Sequence, residues 1–144
     1  MPQAVSSGGW NGPSGCIDHV NTRYVYPDGP VVTAEGSWAS AETKPFAMSY
    51  VVNFEHATAV YHSGHCDAPL MLYRKAKGNR KPPEPKAVKC AGPDGYKGEM
   101  TYLAKCIRTG ETPSVVTATE AADSIRIVEA EVKSVETGRM VHLT

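Results

Sequence analysis

The run GYKGEMTYLAKCIRTGETPSVVTATEAADSIRIVEAEVKSVETGRMVHL, Gly95 to Leu143, decides the fold class. Tyr96, Met100, Leu103, Ala104 and Ile107 recur at helical spacing and Gly110 stands where a C-terminal cap belongs, so the pattern predicts a helix over Tyr96 to Thr109. Thr117 and Glu120 then have the form of a capping box, in which each side chain satisfies a backbone N–H of the other residue. Ala121, Ile125, Val128, Val132 and Val135 form one apolar stripe before Gly138, which predicts a second helix with that stripe on its partner. Arg139 to Leu143 reads as a short closing strand, with Met140 and His142 on one side.

Upstream the period changes from helical to alternating. Cys16 to Tyr26 and Val31 to Trp38 are two strands joined by Pro27-Asp28-Gly29-Pro30, whose residues preset φ, favour turns and accept positive φ. Val20, Thr22, Tyr24 and Tyr26 share one face of the first, leaving His19, Asn21, Arg23 and Val25 on the other. Ala47 to Glu55 and Thr58 to His62 continue the alternation, and Leu70 to Tyr73 and Ala87 to Cys90 add two shorter strands. The glycine-rich stretch Gly8 to Gly15 reads as a flexible loop. Strands in succession followed by helices predict an α+β fold: an open, predominantly antiparallel sheet with helices packed on one face. Residues 1–75 carry the sheet, 76–95 a Lys/Pro-rich segment and loop, and 96–144 the two helices and closing strand, within a single domain. The other face carries Arg23, Thr33, Glu35, Ser49, Val51 and Asn53, too polar for a core yet flat enough to pair with another copy.

Composition narrows the function. Fifteen basic and fifteen acidic residues give zero formal charge, so no global field draws the chain to nucleic acid or an anionic membrane. There is no apolar run near the roughly 18 residues that span a bilayer, and the start lacks the basic and apolar regions of a signal peptide, so the chain reads as soluble and cytoplasmic. An export signal on a preceding segment would change that location. Four cysteines, Cys16, Cys66, Cys90 and Cys106, match neither a Cys-x-x-Cys motif nor a disulfide scaffold of this length, so reduced thiols are expected.

Several chemistries lose their sequence support. Gly8 to Gly15 never shows Gly-x-Gly-x-x-Gly, and neither a P-loop nor a Gly-x-Ser-x-Gly elbow occurs, so no cofactor is expected to bind this chain by itself. His56, His62, His65 and Cys66 cluster but fit no common zinc spacing, so they read as ordinary surface histidines and no metal is expected. Asp18 and His19 are adjacent on a strand, which points them to opposite faces and rules out a dyad. Arg74, Lys75, Lys77, Arg80, Lys81, Lys86 and Lys89 form a basic segment, read as a solvated loop with an anion contact as the alternative.

Taken with Ala34-Glu-Gly-Ser-Trp38, the Gly95 to Leu143 segment resembles the C-terminal domain of the Gfo/Idh/MocA (glucose-fructose oxidoreductase, inositol dehydrogenase) family, and the match extends from about Val5 to Leu143. The resemblance implies a glyceraldehyde-3-phosphate dehydrogenase-like C-terminal domain that binds substrate and oligomerises through its open sheet face. It implies NAD or NADP for a full-length parent acting on a sugar, polyol or related hydroxy compound. The family's nucleotide-binding domain, its Glu-Lys-Pro motif and its Asp-x-x-x-His helix have no counterpart here, so no catalytic residue is carried over. The alternative is a stand-alone, non-catalytic binding or dimerisation module. Three residues are substrate-binding candidates: Tyr96, where the corresponding family loop approaches the bound sugar; His19; and Trp10, placed in a loop.

Overall fold

The computed structural model describes residues 1–64, 69–89 and 94–143. Its elements are β1 (Ala4–Asn11), β2 (Ile17–Val25), β3 (Val32–Ser37), β4 (Ser49–Asn53), β5 (Ala57–His62), β6 (Leu70–Arg74), β7 (Lys86–Ala87), α1 (Gly95–Thr109), α2 (Ala118–Thr137) and β8 (Val141–His142). The fold is α+β and every strand pairing is antiparallel. The strands fall into two four-stranded sheets, β3-β2-β1-β8 and β4-β5-β6-β7, where the sequence suggested one. Two compact units follow, Met1–Glu42 with Cys106–Thr144, and Thr43–Lys105.

The first unit is built around β1, whose second half, from Gly8 to Asn11, falls in the stretch expected to be a flexible loop. β1 pairs with β2 from Ala4↔Val25 to Asn11↔Ile17 and, on its other edge, with β8 at Ala4 and Val5. Its Ser-Ser-Gly-Gly centre lacks the β-branched residues that announce a strand. Gly9 has a steric reason to be there, because a Cβ at that position would run into the backbone carbonyl of His19.

α2 lies on this sheet, and its ends follow the expected chemistry. Thr117 Oγ1 accepts from the Glu120 amide at 3.2 Å, and Glu120 Oε2 accepts from the Thr117 amide at 2.8 Å. The Thr117 N–H, and then the Thr117 hydroxyl donating to the same Oε2, hold the Glu120 carboxyl below its usual range. Gly138 takes the left-handed conformation at φ 64° and returns its N–H to Ser134 O.

The face that α2 buries is the correction. Ala130 and Ser134 are buried, with Ile127 and Glu131 half-buried beside them, whereas Ile125 is 61 % exposed and Val128 55 %. Small Ala130 and Ser134 let the helix approach closely. Polar anchors set its rotation: Ser134 Oγ accepts the Ser7 N–H at 2.9 Å and donates to Arg139 O at 2.6 Å, and Tyr24 Oη donates to Glu131. Val5, Ser7 and Thr22 line the facing side of the sheet, with a hydroxyl contact between Ser7 and Thr22 at 2.8 Å.

In the second unit β5 runs between β4 and β6 and is half-buried along its length, while every residue of β4 is exposed. Tyr50 stacks on its cross-strand partner Tyr61, with ring centroids 5.1 Å apart. The expected β7 strand is shorter than Ala87 to Cys90, and Cys90 lies outside the described residues. α1 starts where expected: the Asp94 carboxylate accepts from the Lys97 amide at 3.1 Å. Its apolar stripe does not become core, since Tyr96, Met100 and Ile107 are 86 %, 60 % and 75 % exposed.

These exposures add up to an incomplete core. The chain exposes 11560 Å², whereas two separate compact globules of the two units' sizes would together expose about 8,600 Å². Apolar side chains on the helices and on β4, among them Met100, Ile107, Ile125, Val128 and Val51, contribute to that excess.

Candidate functional site

Two of the three sequence candidates meet. Trp10 is a strand residue, paired directly with His19 on β2, and their rings stack with centroids 4.1 Å apart and planes 14° from parallel. Alternation places both on the sheet face opposite α2, because Thr22 and Tyr24 point toward the helix. His19 pairs onward with Ser37 of β3, and the neighbouring row is Gly8, Asn21 and Glu35. Gly8 has no side chain, so Asn21 and Glu35 border the aromatic pair without obstruction from β1.

A register slip finishes the platform. Between Trp10 and Asn11 the pairing jumps from His19 to Ile17, leaving Asp18 as the extra residue of a bulge. The Asp18 carbonyl accepts the Trp38 N–H at 2.7 Å, which ties the end of β3 to the bulge. Trp10 remains 53 % exposed and His19 is half-buried. The arrangement offers a flat aromatic surface bordered by an imidazole, an amide, a carboxylate and a hydroxyl. Such a surface can stack on the C–H face of a sugar ring while polar groups meet its hydroxyls.

Tyr96 stands apart from this pair in the sequence and in its unit. It is the second residue of α1, in the unit Thr43–Lys105, with its phenol free in solvent. The expected open face is also divided: Arg23 and Thr33 pair with each other, as do Asn21 and Glu35, on the first sheet, while Ser49, Val51 and Asn53 share a face of the second. Of the histidine cluster, His65 and Cys66 lie outside the described residues. His62 Nδ1 accepts from the Gly64 amide at 3.1 Å. No helix among the described residues is long and apolar enough to cross a membrane.

The sequence reading had no means of seeing the platform, since it required β1. Alternation puts Asn21 and Glu35 on the polar face, Glu35 on a surface expected to pair with another copy; only the register with β1 brings them, and Ser37, beside Trp10.

Comparison with solved structures places the fold. The chain superposes over 100 % of its length on an oxidoreductase-described protein from Bacteroides fragilis NCTC 9343, at TM-score 0.66 and 19 % identity, covering 46 % of that chain. YvaA from Bacillus subtilis, also described as an oxidoreductase, gives TM-score 0.73 and 19 % identity over 100 % of this chain and 46 % of that one. An aldose-aldose oxidoreductase from Caulobacter crescentus, complexed with glycerol, gives 0.70 and 19 % over 99 % and 42 %. The chain therefore has the fold of part of these oxidoreductases and spans less than half their length. No family profile matches it, and no curated protein matches it.

Proposed function

We propose that the chain is the C-terminal, substrate-binding and oligomerising part of an NAD(P)-dependent oxidoreductase acting on a sugar, polyol or related hydroxy compound. The observation that carries this reading is the asymmetry of the structural likeness: all of this chain against under half of three proteins described as oxidoreductases. The uncovered apolar faces of α1 and α2 support it, since Met100, Ile107, Ile125 and Val128 require a partner to leave water. In this reading the cofactor, NAD or NADP, is held by another part of the protein. The Trp10–His19 platform contributes stacking and hydrogen bonds to the substrate.

No group of this chain is assigned to hydride or proton transfer. Holding nicotinamide and substrate carbon in reacting orientation is worth roughly 7–11 kcal/mol of barrier, and that task falls to the cofactor-binding part.

The coding sequence upstream tests the reading. A Gly-x-Gly-x-x-Gly turn followed by Glu-Lys-Pro, and sugar- or polyol-dependent reduction of NAD(P) by the protein that carries both, are the expected results. In that protein Trp10→Ala removes about 1.4 kcal/mol of ring stacking, so KM for the sugar rises about tenfold while kcat changes little. A complete reading frame without those motifs would instead favour a non-catalytic binding module.

A further inference from the structure

The basic segment that the platform leaves unused forms a cavity of its own. Within the second unit, Arg74 at the end of β6 pairs with Ala57, and the Lys75 N–H donates to His56 O at 3.0 Å. This brings the β4–β5 turn beside the chain leaving β6. Residues 76–85 then loop back, with Arg80 N–H closing a turn onto Lys77 O at 3.4 Å, before Lys86 rejoins the sheet opposite Leu72. The result is a cavity of about 740 Å³ lined by His56, Arg74, Lys75, Lys77, Arg80 and Lys81. That volume falls within the roughly 300–1,000 Å³ of small-molecule sites.

We propose that this cavity binds a small molecule bearing two or more phosphate groups. Its charge is strongly one-sided. Two carboxylates approach from the rim, Glu84 at 3.6 Å from Lys81 and Glu55 at 3.5 Å from His56. Arg74, Lys75, Lys77 and Arg80 have no carboxylate partner among the described residues. Four cations without a carboxylate partner line one hollow, where an entering anion would relieve their mutual repulsion. Two of them are arginines, whose planar forks match phosphate oxygens bidentately, and the lysines add point charges.

The same observations disfavour a nucleic acid. No Phe, Tyr or Trp among the described residues lines the cavity to stack a base, and the chain as a whole has zero formal charge. Nor does the proposal depend on the oxidoreductase reading, because every residue in it belongs to the β4–β7 unit.

Titration calorimetry of the purified chain with inorganic pyrophosphate at 50 mM NaCl tests it. One site with a dissociation constant below 1 mM is expected, weakening at least tenfold at 500 mM NaCl as screening grows. Arg74→Ala with Arg80→Ala should weaken binding at least tenfold, and Lys97→Ala with Lys133→Ala, the same charge change elsewhere, should leave it within twofold. A footprint needs no variants: pyrophosphate should protect Lys75, Lys77 and Lys81 from an amine-acetylating reagent, read by mass spectrometry, and leave Lys133 reactive. Equal loss in the two double variants, absence of saturation, or protection of Lys133 to the same degree overturns the proposal. So does tighter binding of a single-stranded oligonucleotide per phosphate than of pyrophosphate.

Discussion

Ser134→Ala isolates the contact that fixes how α2 sits on its sheet. Ser134 is 1 % exposed, and its hydroxyl joins three elements by accepting from Ser7 of β1 and donating to Arg139 before β8. Among the described residues β8 pairs with β1 only at Ala4 and Val5, and no other described strand lies along this edge of β1 beyond Val5. The Ser134 hydroxyl supplies an acceptor there. Alanine fills nearly the same space, so packing loss is small and the cost is polar. Each bond is worth about 0.5–1.5 kcal/mol net, and a buried amide left without an acceptor costs about 1–3 kcal/mol. The Arg139 carbonyl lies at an exposed residue and can turn to water, so a total of about 2–3 kcal/mol is expected. Urea unfolding followed by helix ellipticity reads this as a lower midpoint at unchanged slope. Ser124→Ala is the matched control: its hydroxyl donates to Glu120 O at 3.0 Å on the exposed side of the same helix, and its loss should cost under about 0.5 kcal/mol. Equal midpoints for the two variants would refute the placement of α2.

The phenol of Tyr24 gives a pH dependence of known sign. Burial first, then the hydrogen bond to Glu131, raises its pKa above the ordinary 10.0, so the folded state favours the neutral phenol. Its stabilisation is complete below pH 10 and is lost as pH rises toward the folded value; Tyr24→Phe should flatten the stability profile above pH 10, and an unchanged profile would contradict the burial and bonding of this phenol. Oligomerisation through an open sheet face is read by light scattering at micromolar concentration, where a dimer or larger species is expected. Val51→Lys, on an exposed strand of the second sheet, should lower the mass, and a monomeric wild-type chain would remove the sheet-face proposal.

What could be read from the sequence was local. The α2 capping box lies within four residues, the β2–β3 hairpin closes through one turn, and Gly138 needs only its own left-handed conformation, so each carries its signal in adjacent residues. What escaped was non-local or mixed. β1 is hidden because Ser6 and Ser7 are small and polar and Gly8 and Gly9 have no side chain, and the fitness of Gly9 for its place appears only against the carbonyl of His19. The rotation of α2 was misjudged because its most apolar stripe is not the one that packs; Ala130 and Ser134 win by size and by hydrogen bonding to the sheet. Whether β4 extends the first sheet or begins another depends on pairing across the stretch from Trp38 to Met48, which carries no alternation to decide it. Trp10 and His19 were therefore singled out separately, and their stacking became visible only with the register.

Titration of the chain with NADH and NADPH, followed by nicotinamide fluorescence, separates the two halves of the proposed function. With substrate bound by this chain and the dinucleotide by another part of the protein, no saturable binding is expected into the millimolar range. A micromolar dissociation constant for either dinucleotide would contradict that reading.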